Sequence, residues 1–314
     1  MRRLIKVLRG LVLMFSLFLV GFIALNWAPD LPLDELKARW APAPSTFVSI
    51  DGMQVHLRDQ GPRDDPEPLL LLHGTSASLH TWQGWVEQLK AKHRVISIDL
   101  PGFGLTGPFP DGDYSVDHYQ HFLEQLFAQL KLQRVTLVGN SFGGQLAWLF
   151  ALKQPQKVGH LVLIDAAGYP RQSESVPLGF WLAQNPVLAP LMAKILPRKM
   201  IESSVRNVYG DPAKVTDELI DRYYQLTRRE GNRQALVERF KQVGNDSFEQ
   251  IKQLQVPTLI IWGGEDRLIP VANAERFATD IAGSRWVIFE DLGHVPQEED
   301  PLRTSAALSS FLGE

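Results

Sequence analysis

Residues 135–144 read Val135-Thr136-Leu137-Val138-Gly139-Asn140-Ser141-Phe142-Gly143-Gly144. A short β-prone run enters G-x-S-x-G, and the residues that follow, Phe142–Lys153, have helical character. A serine on such a strand-to-helix turn needs glycines on both sides, because neighbouring side chains would block the close passage of the backbones. Its hydroxyl then stands clear above the end of the strand. The backbone N–H of Phe142 opens the helix beside it, where it suits a developing oxyanion. A glycine-rich turn with an incidental serine is the bland alternative. The strand before and the helix after argue against it.

A serine hydroxyl is a weak nucleophile until a base takes its proton, and that base needs an orienting partner. For a serine on this kind of turn, the partners follow it in the order acid, then histidine. His294 lies in Asp291-Leu292-Gly293-His294-Val295-Pro296, on a loop after the last strand and before the final helix. His160 also follows the serine but opens a strand close to it. Two acids qualify. Asp266 sits in Gly263-Gly264-Glu265-Asp266-Arg267 after the run Thr258–Trp262, and Asp165 ends the run His160–Ile164. Both are carboxyl ends of strands, where an open α/β sheet places its ligands. Asp266 is favoured. Glu265 reads as a turn residue, and Asp165 as a structural acceptor at the root of an insertion. A second oxyanion donor is expected from the loop Leu72-His73-Gly74-Thr75-Ser76, through the Thr75 amide; His73 reads as a loop brace because it precedes the serine. The glycines of Asp99-Leu100-Pro101-Gly102-Phe103-Gly104 do not have the spacing of a nucleotide-binding loop.

Around these motifs strand and helix signals alternate. Phe47–Ile50 and Gln54–Arg58 flank the hairpin signal Asp51-Gly52. Leu69–Leu72, Val95–Ile98, Val135–Val138, His160–Ile164, Thr258–Trp262 and Trp286–Phe289 read as further strands, several of them apolar enough to be buried on both faces. Helices are expected at Trp82–Lys92, Val116–Leu130, Phe142–Lys153, Val271–Thr279 and Glu298–Leu312. Such alternation predicts an α/β protein with a mostly parallel sheet wrapped by helices. Residues 170–250 contain helix-type segments and no strand signal, so they are expected to form an insertion. The resulting division is 1–28, a linker at 29–46, a core of 47–169 and 251–314, and the insertion at 170–250.

The His-Gly loop, DLPGFG, GNSFGG, GGEDRLIP and GHVPQEEDP occur in one order over residues 45–314. In this the chain resembles the α/β-hydrolase fold superfamily. The resemblance implies an eight-stranded sheet with helices on both faces and a helical cap inserted after the sixth strand. It implies Ser141, Asp266 and His294 as triad and the Thr75 and Phe142 amides as oxyanion hole. Haloalkane dehalogenases and epoxide hydrolases of the superfamily carry aspartate at the nucleophile position, so Ser141 disfavours those activities. Esterases, lipases and the C–C bond hydrolases of ring-cleavage products are the similar branches. No metal or organic cofactor is implied.

The 314 residues carry a net charge of −3 and are 45% hydrophobic and 21% charged, which suits a globular protein and not a nucleic-acid binder. There is no cysteine, so disulfides, thiolate metal sites and a cysteine nucleophile are out. Arg2, Arg3, Lys6 and Arg9 precede an uncharged run, Leu11–Leu25, that lacks a small-residue cleavage site after it. We read residues 1–28 as an uncleaved signal anchor; a cleaved signal peptide and an interfacial helix are the alternatives. The basic end points to the cytoplasm and places the rest outside, in the periplasm of a Gram-negative cell.

The insertion is rich in apolar residues: Leu178, Phe180, Trp181, Leu182, Val187, Leu188, Leu191, Met192, Ile195, Leu196, Met200 and Ile201. Packing onto the core, lining an acyl-chain pocket and touching a membrane are the three uses open to them. Arg228, Arg229 and Arg233 read as solvated helix positions. The expected activity is hydrolysis of a small-molecule or lipid carboxylic ester through an acyl-enzyme on Ser141, with C–C hydrolysis by the same triad as the alternative. Chain-length preference and oligomeric state are not legible.

Overall fold

The computed structural model describes residues 2–170, 173–185, 187–192, 194–242 and 248–313. One sheet of eight strands organises them: β1 (Ser45–Ile50), β2 (Met53–Gln60), β3 (Leu69–Leu72), β4 (Val95–Ile98), β5 (Val135–Asn140), β6 (Val158–Ile164), β7 (Thr258–Gly263) and β8 (Arg285–Phe289). Their spatial order is β1-β2-β4-β3-β5-β6-β7-β8. Only the pairings of β2, with β1 and with β4, are antiparallel. The hairpin between β1 and β2 turns through Asp51 and Gly52, both with positive φ, as an Asp-Gly two-residue turn requires.

β3, β4, β5 and β7 are buried at every position, which is why their sequences are predominantly apolar and show no solvent-facing polar side. Helices cover both faces. The 142–153 helix packs on β5 and β6, and Pro301–Leu312 packs on Gln83–Leu89 across the other face. The helix expected over Trp82–Lys92 is a 3₁₀ turn, Leu79–Trp82, followed by a shorter α-helix. The final helix is broken at Asp300, whose side chain caps a new helix that starts at Pro301.

Between β6 and β7 the chain forms helices Leu178–Gln184, Ala189–Met192, Arg198–Val208, Asp217–Thr227 and Asn232–Lys241, with no strand among the described residues. The segment read as a linker is docked on the body. Its helix Leu33–Trp40 buries Leu36 and Trp40, and the Trp40 indole donates to Gln225 Oε1 at 2.9 Å. Burying an indole and a leucine outweighs the freedom of a tether. The arginines expected in solvent are correspondingly engaged: Arg228 donates to the Pro29 carbonyl and Arg233, buried, pairs with Asp30. The N-terminal helix Arg2–Leu25 is apolar and long enough to cross a membrane, and its large hydrophobic side chains are exposed.

Candidate active site

Ser141 is the residue between β5 and the 142–153 helix, with φ 55° and ψ −117°. A non-glycine side chain rarely adopts this backbone, and the glycines around it explain how the turn is accommodated. A Cβ on Gly139 would lie 2.2 Å from the Gly143 carbonyl oxygen, and one on Gly143 would lie 2.2 Å from that of Leu72. Neither position tolerates any side chain. Ser141 itself donates its backbone N–H to Ile164 and receives those of Gln145 and Ala167, so the turn is held from three sides.

His294 comes from the loop after β8. Its backbone N–H donates to Val208 in the insertion at 2.8 Å, and its carbonyl accepts from Asn140 Nδ2 at 3.0 Å, next to Ser141. The imidazole Nδ1 meets Asp266 Oδ2 at 2.7 Å. Asp266 Oδ1 accepts the N–H groups of Leu268 and Ile269, which fixes the carboxylate in its turn after β7. With Nδ1–H donating to Asp266, Nε2 keeps its lone pair for a proton. Asp266 and His294 are therefore brought together directly. Ser141 shares a cavity wall with His294, and among the described residues no hydrogen bond joins their side chains. Such contacts tighten when substrate is bound.

The two acids weighed from sequence lie side by side. Polar atoms of Asp165, Asp266 and His294 fall within 4.8 Å of one another. These are metal-ligating residue types, but the His294 Nδ1 and Asp266 are spent on each other. Asp165 Oδ1 accepts the Gly263 N–H at 3.0 Å. Burial, with the Asp266 carboxylate alongside, pushes the Asp165 carboxyl well above the ordinary carboxylate range. Of the two carboxyls, it is Asp266 that faces the imidazole.

The Thr75 amide stands in the turn after β3, and the Phe142 amide at the helix N-terminus. Neither donates to a protein acceptor among the described residues. Both residues line the cavity with Ser141. His73 beside them is a brace: Nδ1 bonds the Gly74 carbonyl, and Nε2 accepts the Leu100 N–H, tying the β3 and β4 loops. Burial lowers its pKa, in keeping with a neutral ring. His160 is remote from this, paired with Glu67.

The cavity has a volume of about 780 Å³. From the insertion, Phe180, Leu196, Met200, Ile201 and Phe240 line it. Leu178, Trp181 and Val187 instead point to solvent, so the apolar residues of the insertion divide between these uses. The side chains of Leu191 and Met192 lie outside the described ones. Arg239 was not singled out from sequence. It is buried on the cavity wall, with its guanidinium 3.6 Å from the centre of the Phe142 ring. Nothing local distinguishes it from the other arginines of the insertion, because only packing brings it to Phe142.

A family model described as alpha/beta hydrolase fold matches residues 67–301. The chain belongs to the alpha/beta hydrolase fold family. Among curated α/β hydrolases it is similar to a 2-hydroxy-6-oxo-2,4-heptadienoate hydrolase of Pseudomonas putida, 30% identical over 276 residues, 85% of this chain and 95% of that one. Among solved structures it is similar to a membrane phospholipase A described as a bacterial virulence factor. That likeness has a TM-score of 0.74 at 24% identity and covers 100% of this chain and 98% of that one. It is also similar to a meta-cleavage product hydrolase of Pseudomonas fluorescens, with a TM-score of 0.73 at 25% identity over 86% of this chain and 97% of that one. Both likenesses accord with the α/β-hydrolase sheet order described above.

Proposed function

We propose that the protein is a serine esterase that acts on carboxylic esters with an apolar acyl group. The reading is carried by the Asp266–His294 hydrogen bond at 2.7 Å, on the wall of a largely apolar cavity that Ser141 also lines. In the proposed reaction His294 Nε2 takes the Ser141 proton as Oγ bonds the acyl carbon. The oxyanion is held by the Thr75 and Phe142 amides. The C–O bond to the leaving alcohol then breaks as the imidazolium returns its proton to that oxygen. Water, deprotonated by the same Nε2, attacks the acyl-enzyme, and the acid leaves as Ser141 regains its proton. Asp266 keeps the ring in the tautomer this needs.

Ser141→Ala is expected to lower kcat on p-nitrophenyl esters by on the order of 10⁴–10⁶-fold and to abolish labelling by a fluorophosphonate. Retained turnover would overturn the proposal. Across a series of longer acyl chains, kcat/KM should rise by up to about fourfold per methylene until the cavity is filled, from about 0.8 kcal/mol per buried CH₂. A flat series would mean that the apolar wall does not receive the acyl group.

C–C bond hydrolysis is the second reading. The 30% identical relative carries the name of such an enzyme. One observation here favours it: among the described residues Arg239 is the single cation on the cavity wall, and a dienoate substrate carries a carboxylate. Assay of a ring-cleavage product beside a short-chain ester separates the two.

We further propose that the N-terminal helix anchors the chain, with Arg2, Arg3, Lys6 and Arg9 on the cytoplasmic side. Protease accessibility of the body in spheroplasts, compared with lysed cells, tests that orientation.

A further inference from the structure

We infer that the 176–187 face of the insertion lies against the lipid bilayer; this rests on reading the N-terminal helix as a membrane anchor. The first observation is how that helix ends. Two residues after Leu25, Trp27 forms an antiparallel bridge with Ile195. The Ala28 N–H donates to the Lys194 carbonyl at 2.9 Å, and the Leu196 N–H to that of Asn26 at 3.1 Å. Leu31 then pairs with the segment around Arg228–Glu230, donating to Arg228 at 2.7 Å and accepting from Glu230 at 3.1 Å. Residues 26–31 are strapped to the insertion. No free tether separates the anchor from the body, so whatever depth the helix takes is imposed on the residues next to its end.

The second observation is what the same insertion exposes. Outside the N-terminal helix and Trp27, six large hydrophobic side chains are exposed among the described residues, and four of them fall within 176–187. They are Val176 (43%), Leu178 (56%), Trp181 (53%) and Val187 (80%). Isolated exposed apolar residues are ordinary, whereas a cluster marks a contact surface. The sequence from Val176 to Ala193 has no charged residue, and the first charge after it is Lys194. That composition suits the boundary between headgroups and acyl chains, with a tryptophan at the interface and a lysine on its watery side.

The third observation concerns the reverse side of the same layer. Leu178 and Trp181, three residues apart, share one helical face. Phe180, the neighbour of Trp181 in sequence and therefore off that face, lines the cavity that holds Ser141. A single layer of chain therefore has one side toward the proposed bilayer and the other toward the proposed reaction site. An ester dissolved in the membrane has a short path between them.

The chain has no cysteine, so single-cysteine variants can be spin-labelled on the full-length protein. The test reconstitutes Leu178→Cys, Trp181→Cys and Val187→Cys in phosphatidylethanolamine–phosphatidylglycerol vesicles, with Phe15→Cys and Leu302→Cys as references. Relative accessibility to oxygen and to a water-soluble nickel chelate reads depth. Labels at 178, 181 and 187 are expected to report the headgroup–acyl boundary, between the references and clearly displaced from 302. Labels at 178–187 as aqueous as that at 302, with 15 in lipid, overturn this inference and leave the anchor standing. If 15 is aqueous too, the anchor reading itself falls. Protection from both reagents together with a 181–181 cross-link between copies would put a second copy on the face, which also overturns it. The depth measurement works equally in Ser141→Ala, so it does not depend on catalysis. As a functional arm, Trp181→Ser/Val187→Ser should lower turnover of a vesicle-borne ester at least about tenfold while sparing a soluble short-chain ester. An equal loss on both substrates would indicate a structural role and count against the proposal.

Discussion

Asp165 and Asp266 stand within 4.8 Å of one imidazole, and their backbone partners differ. Asp266 receives two N–H groups on the oxygen that does not face His294. Asp165 receives one, from Gly263, and is otherwise enclosed beside the Asp266 charge. Burial, with the Asp266 charge beside it, raises the Asp165 carboxyl above the ordinary carboxylate range. Among the described residues Asp165 makes no hydrogen bond to the ring, and an amide keeps its size, so Asp165→Asn is expected to leave kcat within a few-fold. Asp266→Asn is expected to lower it by about 10⁴-fold, since an amide there disturbs the histidine tautomer. Kinetics of the two variants on one ester decide the matter, and a reversal of the two results would make Asp165 the working acid. The pair was visible in sequence as two strand-end aspartates. Which one meets the ring was not, because it depends on how the β6 and β7 ends lie relative to a loop that arrives after β8.

The short helix Pro296–Glu299, directly after His294, joins the insertion to the core. Glu298 accepts from Thr81 Oγ1 at 2.8 Å and from the Tyr223 hydroxyl at 3.0 Å, and it pairs with the largely covered Arg222. Glu299 accepts the N–H groups of Gly210, Asp211 and Gly293, at 2.9, 2.8 and 2.9 Å. The histidine loop is thereby held by the same residues that hold the insertion. Glu298→Gln would leave the Arg222 cation without its counter-charge, and a loss of about 3 kcal/mol in unfolding free energy is expected. Denaturant unfolding measures it; a change below about 0.5 kcal/mol would place the pair with ordinary surface charges. In the sequence these glutamates were part of a resemblance and no more. The side-chain partners of Glu298 lie some 75 to 217 positions away, beyond the reach of any local pattern.

Across the whole molecule, acid should destabilise the fold through a second buried cluster. The His56 ring donates to Asp99 Oδ2 at 2.7 Å with both side chains fully enclosed. His80 uses both ring nitrogens, on Ser78 and on the Trp40 carbonyl of the docked N-terminal segment. Burial, aided by the nearby Arg222 and Arg58 charges, pushes the His80 pKa down to about 3. The unfolded chain binds that proton near pH 6.5 and the folded one does not, so stability is lost as pH falls from about 6.5 toward 3. Asp99 adds a further loss only below about pH 3.9, the ordinary aspartate value. Burial alone would raise its pKa, but His56 at 2.7 Å holds it below the usual carboxylate range, and that stabilisation disappears on protonation. Asp165, whose pKa is raised, acts in the opposite sense, so the informative quantity is a difference between variants. Tm measured from pH 7 to pH 4 should fall for the native protein and fall less steeply for His80→Gln. Parallel curves would remove His80 from the account.

The amino-acid sequence by itself determined the strands, the glycine-bounded serine turn, the order serine–acid–histidine and an apolar N-terminal helix. All of these depend on residues a few positions apart: buried runs, turn chemistry and the absence of a Cβ where backbones touch. Only the tertiary structure decided that Asp266 holds His294, that Arg239 reaches Phe142, and that the presumed linker is strapped to the insertion. These contacts join residues far apart in the chain. Side-chain identity allows each of them, but only the packing of the sheet and its insertion brings the partners within bonding distance.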